Sequence, residues 1–95
     1  MKPTVYILTN SNNTTLYTGV TSNLDERLNL HVNNTVCTFS SRYHTHKLVY
    51  VERHPTMMSA ITREKQIKSW SRKRKIALIE SINPRWMDLR MGNDI

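Results

Sequence analysis

Cysteine is all but missing from this 95-residue chain. Cys37 stands alone, so no intrachain disulfide can form, and a reducing compartment suits the sequence. No apolar run approaches membrane-spanning length, and no signal-peptide pattern is visible: Met1-Lys2-Pro3 leads straight into a strand-like stretch. There is no repeat and no low-complexity linker. The length allows one small domain with a modest core, room for three strands and three helices but not for a second module. These absences describe a soluble, cytoplasmic protein with no membrane partner. Acidic side chains are also in short supply, seven against fourteen Lys and Arg, for a net charge of +7. Seven of the fourteen basic residues fall between positions 63 and 75: Arg63, Lys65, Lys68, Arg72, Lys73, Arg74 and Lys75. Such a patch suits a polyphosphate partner. The plain alternative is a solvated helix face.

Residues 3–9 and 15–21 alternate as strands do, and Ser11-Asn12-Asn13-Thr14 reads as the turn between them. With an even loop, such as 11–14, Tyr6 and Tyr17 project from one face of the ribbon, while Val5, Ile7, Leu16 and Val20 take the other and pack on the core. An odd loop would separate the phenols. A helix over 23–33 opens on a capping-box-like Asn23-Leu24-Asp25-Glu26, turns Leu24, Leu28 and Leu30 inward, and sets Arg27 and His31 four apart on one face. Residues 34–46 read as an irregular loop. Lys47 to Arg53 is a buried third strand. Thr56 caps a helix from Met57 to Trp70, and Ser71 caps another over 72–82, with Ile76, Ala77, Ile79 and Ile82 inward. Asn83-Pro84 suits a new N-cap followed by proline at the first helical position. The expectation is an α/β domain over residues 1–89, a small three-stranded antiparallel or mixed sheet flanked by helices, with a frayed tail at 90–95.

Glu64 is the most conspicuous candidate for chemistry. It lies on the apolar stripe Met57, Ala60, Ile61, Ile67, where a carboxylate is costly to bury unless paired or metal-bound. The pattern alone favours an ion pair, with Arg27 as a possible partner. Tyr6 and Tyr17 need a neighbour to lower their pKa, because a free phenol ionises near pH ~10. Arg27 has the planar fork that bridges phosphate oxygens, and His31 can relay a proton. Glu52 is a second carboxylate on the third strand, ranked behind Glu64. Cys37, His44, His46 and His54 match no standard zinc spacing.

Taken in order, these residues resemble the GIY-YIG nucleases. The first motif stands here as Thr4-Val5-Tyr6 and the second as Tyr17-Thr18-Gly19; Arg27 and His31 match the first-helix pair. The likeness continues from Ala60 through Arg63-Glu64-Lys65-Gln66, Lys68 and Trp70 to Asn83-Pro84, Trp86 and Asp88-Leu89, so it covers residues 3–89. The chain is similar to the small stand-alone branch, and to the nuclease domains of homing endonucleases and of the bacterial excision-repair endonuclease. Two motif positions depart from the pattern: Thr4 replaces a glycine and Thr18 an isoleucine. Val20 stands where some members carry a lysine, which leaves the proton route to His31.

The resemblance implies an endonuclease that hydrolyses DNA phosphodiesters to 5′-phosphate and 3′-hydroxyl ends, in repair, recombination or processing. It assigns Tyr6, Tyr17, Arg27, His31 and Asn83 to catalysis, and Glu64 to Mg²⁺ (or Mn²⁺). Arg42, Tyr43, Arg63, Lys65, Lys68, Arg72, Lys73 and Lys75 are the candidate nucleic-acid contacts, on single-stranded, duplex or branched DNA. Asn83 is equally suited to capping a helix. Two other readings stand beside this one: a non-catalytic nucleic-acid-binding module on the same fold, and a nuclease subunit targeted by a protein partner.

Overall fold

The computed structural model describes residues 2–27 and 47–89. His31, Arg42 and Tyr43, the expected loop at 34–46 and the tail at 90–95 lie outside these residues. The N-terminal apolar run becomes the middle of a sheet. β1 (Thr4–Thr9) lies between β2 (Leu16–Thr21) and β3 (Lys47–Arg53), and both pairings are antiparallel, so the mixed alternative falls away. The loop at 10–15 has an even length, and Leu8 faces Tyr17 while Tyr6 faces Gly19. Tyr6, Leu8, Tyr17 and Gly19 therefore share one face, as the even-loop reading expects. Asn10 ties the loop: its Oδ1 accepts from the amides of Thr14 at 2.8 Å and Thr15 at 3.2 Å. Asn13 takes a left-handed φ of 58° there, which asparagine tolerates.

Both faces of the sheet are packed. Val5, Ile7 and Tyr50 bury against α1 (Met57–Lys68) and α2 (Arg72–Ile82) through Ala60, Ile67 and Ile79. The tyrosine face, expected to be the open one, carries its own cluster. Tyr6 is fully buried among Leu8, Leu24 and Leu48, with Tyr17, Val51 and Leu89 packed around them. A register shift between Ile7 and Leu8 leaves Val49 as an extra residue in β3.

Thr56 and Ser71 cap α1 and α2 as their sequences predict, accepting from Ser59 N at 3.1 Å and Arg74 N at 3.2 Å. α1 stops at Lys68 rather than Trp70. Its inward stripe is Ala60, Glu64 and Ile67, with Met57 and Ile61 displaced to the exposed border. In α2 the inward set moves as well: Ile79 is buried and Leu78 packs behind it, while Ala77 and Ile82 are exposed.

Asn83 does not start a further helix. It C-caps α2, residues 84–85 form a turn, and Trp86 adopts a φ of 55° that no helix continues through. The segment 83–89 instead runs along β3. Asn83 Nδ2 donates to Val49 O at 3.0 Å, Leu48 N donates to Asp88 Oδ1 at 3.2 Å, and Leu89 reaches the tyrosine cluster.

Thr18 is the polar anomaly of the sheet. It is buried, and among the described residues its hydroxyl has no hydrogen-bond partner. Thr18→Val keeps the shape and removes the unpaired group, so it should stabilise the fold by about 1–2 kcal/mol in urea unfolding. A loss of stability would mean that the hydroxyl is bonded in solution.

Candidate functional site

The two phenols meet across the hairpin. Their ring centroids are 6.4 Å apart with planes inclined at 52°. The contact is diagonal, because Tyr6 sits opposite Gly19 and Tyr17 opposite Leu8. Gly19 is what lets Tyr6 lie there: a Cβ at position 19 would fall 2.5 Å from both Cζ and Oη of Tyr6. The glycine of the Tyr17-Thr18-Gly19 motif is thus a bed for the tyrosine of the first motif, a pairing that the separate tripeptides do not reveal. Tyr6 is sealed from solvent, whereas Tyr17 is half-buried.

The next helical turn, residues 24–27, is set against the same face. Asn23 Oδ1 accepts from Glu26 N at 3.2 Å, and Leu24 enters the Tyr6 cluster. Arg27, half-buried, ends this turn. The structure therefore gathers Tyr6, Tyr17 and the Arg27 turn.

Glu64 belongs to the other face. It is 9% exposed, between Ala60 and Ile67 on the helix that covers Val5 and Ile7. Among the described residues its partner is Lys68, with Nζ 2.6 Å from Oε2, rather than Arg27. α1 packs over β1 and β2, and β2 is an edge strand, so the way from Glu64 to the phenols runs round the β2 edge. Asn83 stands apart from both. Its side chain bonds Val49 O, Met87 O at 2.9 Å and Met87 N at 3.0 Å, which occupies both Nδ2 hydrogens and engages Oδ1 in holding the 83–89 segment.

Glu52, ranked behind Glu64 as a chemical candidate, centres a polar network. Its carboxylate collects Tyr50 Oη at 2.7 Å, His54 Nε2 at 2.7 Å, and Arg63 Nε at 3.0 and 3.2 Å. His54 Nδ1 continues to Ser59 Oγ at 3.1 Å. The network bolts β3 to α1, just before Glu64. Its signal was the period-two run Tyr50, Glu52, His54, which puts three polar groups on one face of a strand. Burial would push the Glu52 carboxyl up, but the bonds from Tyr50, His54 and Arg63 outweigh it and hold it below the ordinary range. Burial, then the Glu52 bond and charge, push the Tyr50 phenol up to about 12.

Two pH limbs follow. A carboxyl depressed in the folded state contributes stability above its unfolded pKa, and this is lost as pH falls through the lower folded value. A phenol raised in the folded state loses its contribution as pH climbs from 10.0 toward about 12. Unfolding midpoints measured against pH should therefore fall on both sides for the wild type. Glu52→Gln should be less stable at neutral pH with a flatter acid limb. Parallel acid limbs would remove Glu52 from the brace.

The basic segment divides in the same way. Arg63 serves Glu52 and also lies over Trp70, its Cζ 5.1 Å from the ring centroid; Lys68 serves Glu64. Arg72 Nη2 donates to Asn13 O at 2.9 Å, and Arg74 stacks on Trp70 at 4.0 Å. Lys65 and Lys73 are exposed and Lys75 half-buried. Three of the predicted contact residues thus have intramolecular duties.

With this geometry in view, a family model described as the GIY-YIG catalytic domain matches residues 2–77. The chain belongs to the GIY-YIG family. A UPF0213 protein of Clostridium perfringens is 38% identical over 77 residues, covering 81% of this chain and 82% of that protein. Another from Staphylococcus haemolyticus is 34% identical over 76 residues, covering 80% and 92%. The solution structure of a UPF0213 protein from Bacillus halodurans shares the fold, with a TM-score of 0.60 and 23% identity over the whole of both chains. GIY-YIG is a nuclease family, directed at DNA and generally dependent on a divalent metal. Among the described residues no three His, Cys, Asp or Glu side chains converge into a metal cage, and no helix is long and apolar enough to cross a membrane. A lone, largely buried carboxylate such as Glu64 still fits a GIY-YIG site for Mg²⁺, which keeps several waters and takes few protein ligands.

Proposed function

We propose that the chain is a divalent-metal-dependent DNA endonuclease that leaves 5′-phosphate and 3′-hydroxyl ends. The observation that carries this reading is the seating of Tyr6 on Gly19 beside Tyr17, which joins the family's two motifs into one device. Tyr17, the half-buried member, aligns the attacking water and accepts its proton. Tyr6, sealed behind it, holds that ring in place. Arg27 binds phosphate oxygens and stabilises charge that grows on them in the transition state. His31 relays the proton. Glu64 is the residue to hold Mg²⁺ or Mn²⁺; when bound, the ion supplies Lewis-acid polarisation of the phosphoryl group. Asn83 acts from a distance, by keeping the 83–89 segment on β3. Repair, recombination or DNA processing is the setting.

The test is to incubate the purified chain with labelled single-stranded, duplex, flapped and branched DNA, in Mg²⁺, Mn²⁺ or EDTA. Metal-dependent cutting with ligatable 5′-phosphate ends is expected on at least one substrate. Binding to all of them with no cutting in either metal would sink the nuclease reading and favour a binding module.

A further inference from the structure

Glu64 is the most deeply placed carboxylate on either helix, and its partner is a lysine. A carboxylate this deep is costly to bury without a counter-charge. Arg63, next to Glu64 in sequence, is committed to Glu52. Lys68 sits one turn on from Glu64 and contacts one oxygen of the carboxylate, Oε2, at 2.6 Å. An arginine fork could grip both oxygens and would hold more firmly; an ammonium on a flexible stem is the more displaceable choice. The two side chains are also unequal in depth. The side chain of Lys68 is 53% exposed and that of Glu64 11%, so the lysine can withdraw into water while the carboxylate stays.

We infer that Lys68 is the resident counter-cation of Glu64, which a divalent cation must displace to reach the carboxylate. The inference rests on the reading of Glu64 as the metal carboxylate, and the test separates the two. Lys68 then has two states. Without metal it neutralises Glu64. With metal it is released toward solvent at the rim of the site, where its charge is free to meet a phosphate.

The experiment is a Mn²⁺ titration of the full chain without nucleic acid, following the free-ion electron paramagnetic resonance signal. Wild type, K68M, K68R and E64Q are compared, with circular dichroism as the check on folding. K68M should bind Mn²⁺ about 1.5-fold to fivefold more tightly than wild type, the range expected when a partly exposed ion pair no longer competes. K68R should bind no more tightly than wild type, because it keeps the charge and adds a fork. E64Q should lose the site. Should K68M fail to fold, K68Q removes the same charge on a polar stem. Equal or weaker Mn²⁺ affinity in the charge-removed chain, with E64Q still deficient, overturns the role of Lys68 and leaves Glu64 as the ligand. Wild-type affinity in E64Q overturns the Glu64 site itself, and Lys68's role with it.

Discussion

Glu64→Gln should yield a folded protein that still binds nucleic acid and no longer cuts it. The substitution keeps the length and volume of a side chain buried between Ala60 and Ile67, so the packing of α1 on the sheet survives. It removes the only negative charge on the inward stripe of α1, and with it the proposed hold on the metal. Loss of one essential electrostatic or metal-binding group commonly lowers the rate by at least ~10²-fold, and that is the fall expected in single-turnover cleavage. Stability should move far less. Lys68 is half-exposed and can be hydrated once its partner is gone, which limits the effect to about 1 kcal/mol. A variant that retains more than about a tenth of the wild-type rate would move the metal off Glu64.

Gly19→Ala should damage both the fold and the rate of cutting. The added carbon would lie 2.5 Å from the end of the Tyr6 ring, well inside contact distance, and Tyr6 is fully buried with nowhere to turn. Overpacking of this kind commonly destabilises by about 1–3 kcal/mol. The effect on rate should be larger than stability alone predicts, because Tyr6 supports Tyr17, and a misplacement of ~1 Å can lower the rate about 10²-fold. Thermal unfolding and cleavage should be measured on Gly19→Ala and on Gly19→Ala with Tyr6→Phe. The double variant removes the clash with Oη but not that with Cζ, so it should recover part of the stability and none of the rate. Unchanged stability and rate in Gly19→Ala would show that the Tyr6 ring does not cross position 19 in solution.

How far these features could be read in advance depends on their range in sequence. The strands at 4–9, 16–21 and 47–53 follow from local alternation, and the caps at Thr56 and Ser71 from their own hydroxyls. The inward aim of Glu64 followed from helical spacing alone. What escaped notice needed a partner far along the chain. Asn83 looked like a helix start because proline follows it; its side chain instead bonds the carbonyl of Val49, far back in the chain, which no local pattern announces. The tyrosine face looked open because Leu48 and Leu89, which help to cover it, lie far away in sequence. Gly19 looked like a motif letter until the Tyr6 ring was seen across it. Glu52 looked secondary because Arg63, eleven residues on, is invisible from the strand.

The closure of the tyrosine cluster by Leu89 has a consequence for the order of assembly. The hairpin with Tyr6 and Tyr17 is made early in synthesis, but the residues that complete its hydrophobic cover arrive some seventy residues later, after both helices. At about 5–20 residues per second, the ribosome exposes an unfinished phenol pair for several seconds. Contacts this distant in sequence also slow folding, since a long loop must close before they form. A fragment ending with α2 keeps Gly19 beneath Tyr6 yet lacks Leu89, part of the cover over the cluster. On the proposed reading, the site is therefore completed late on the emerging chain.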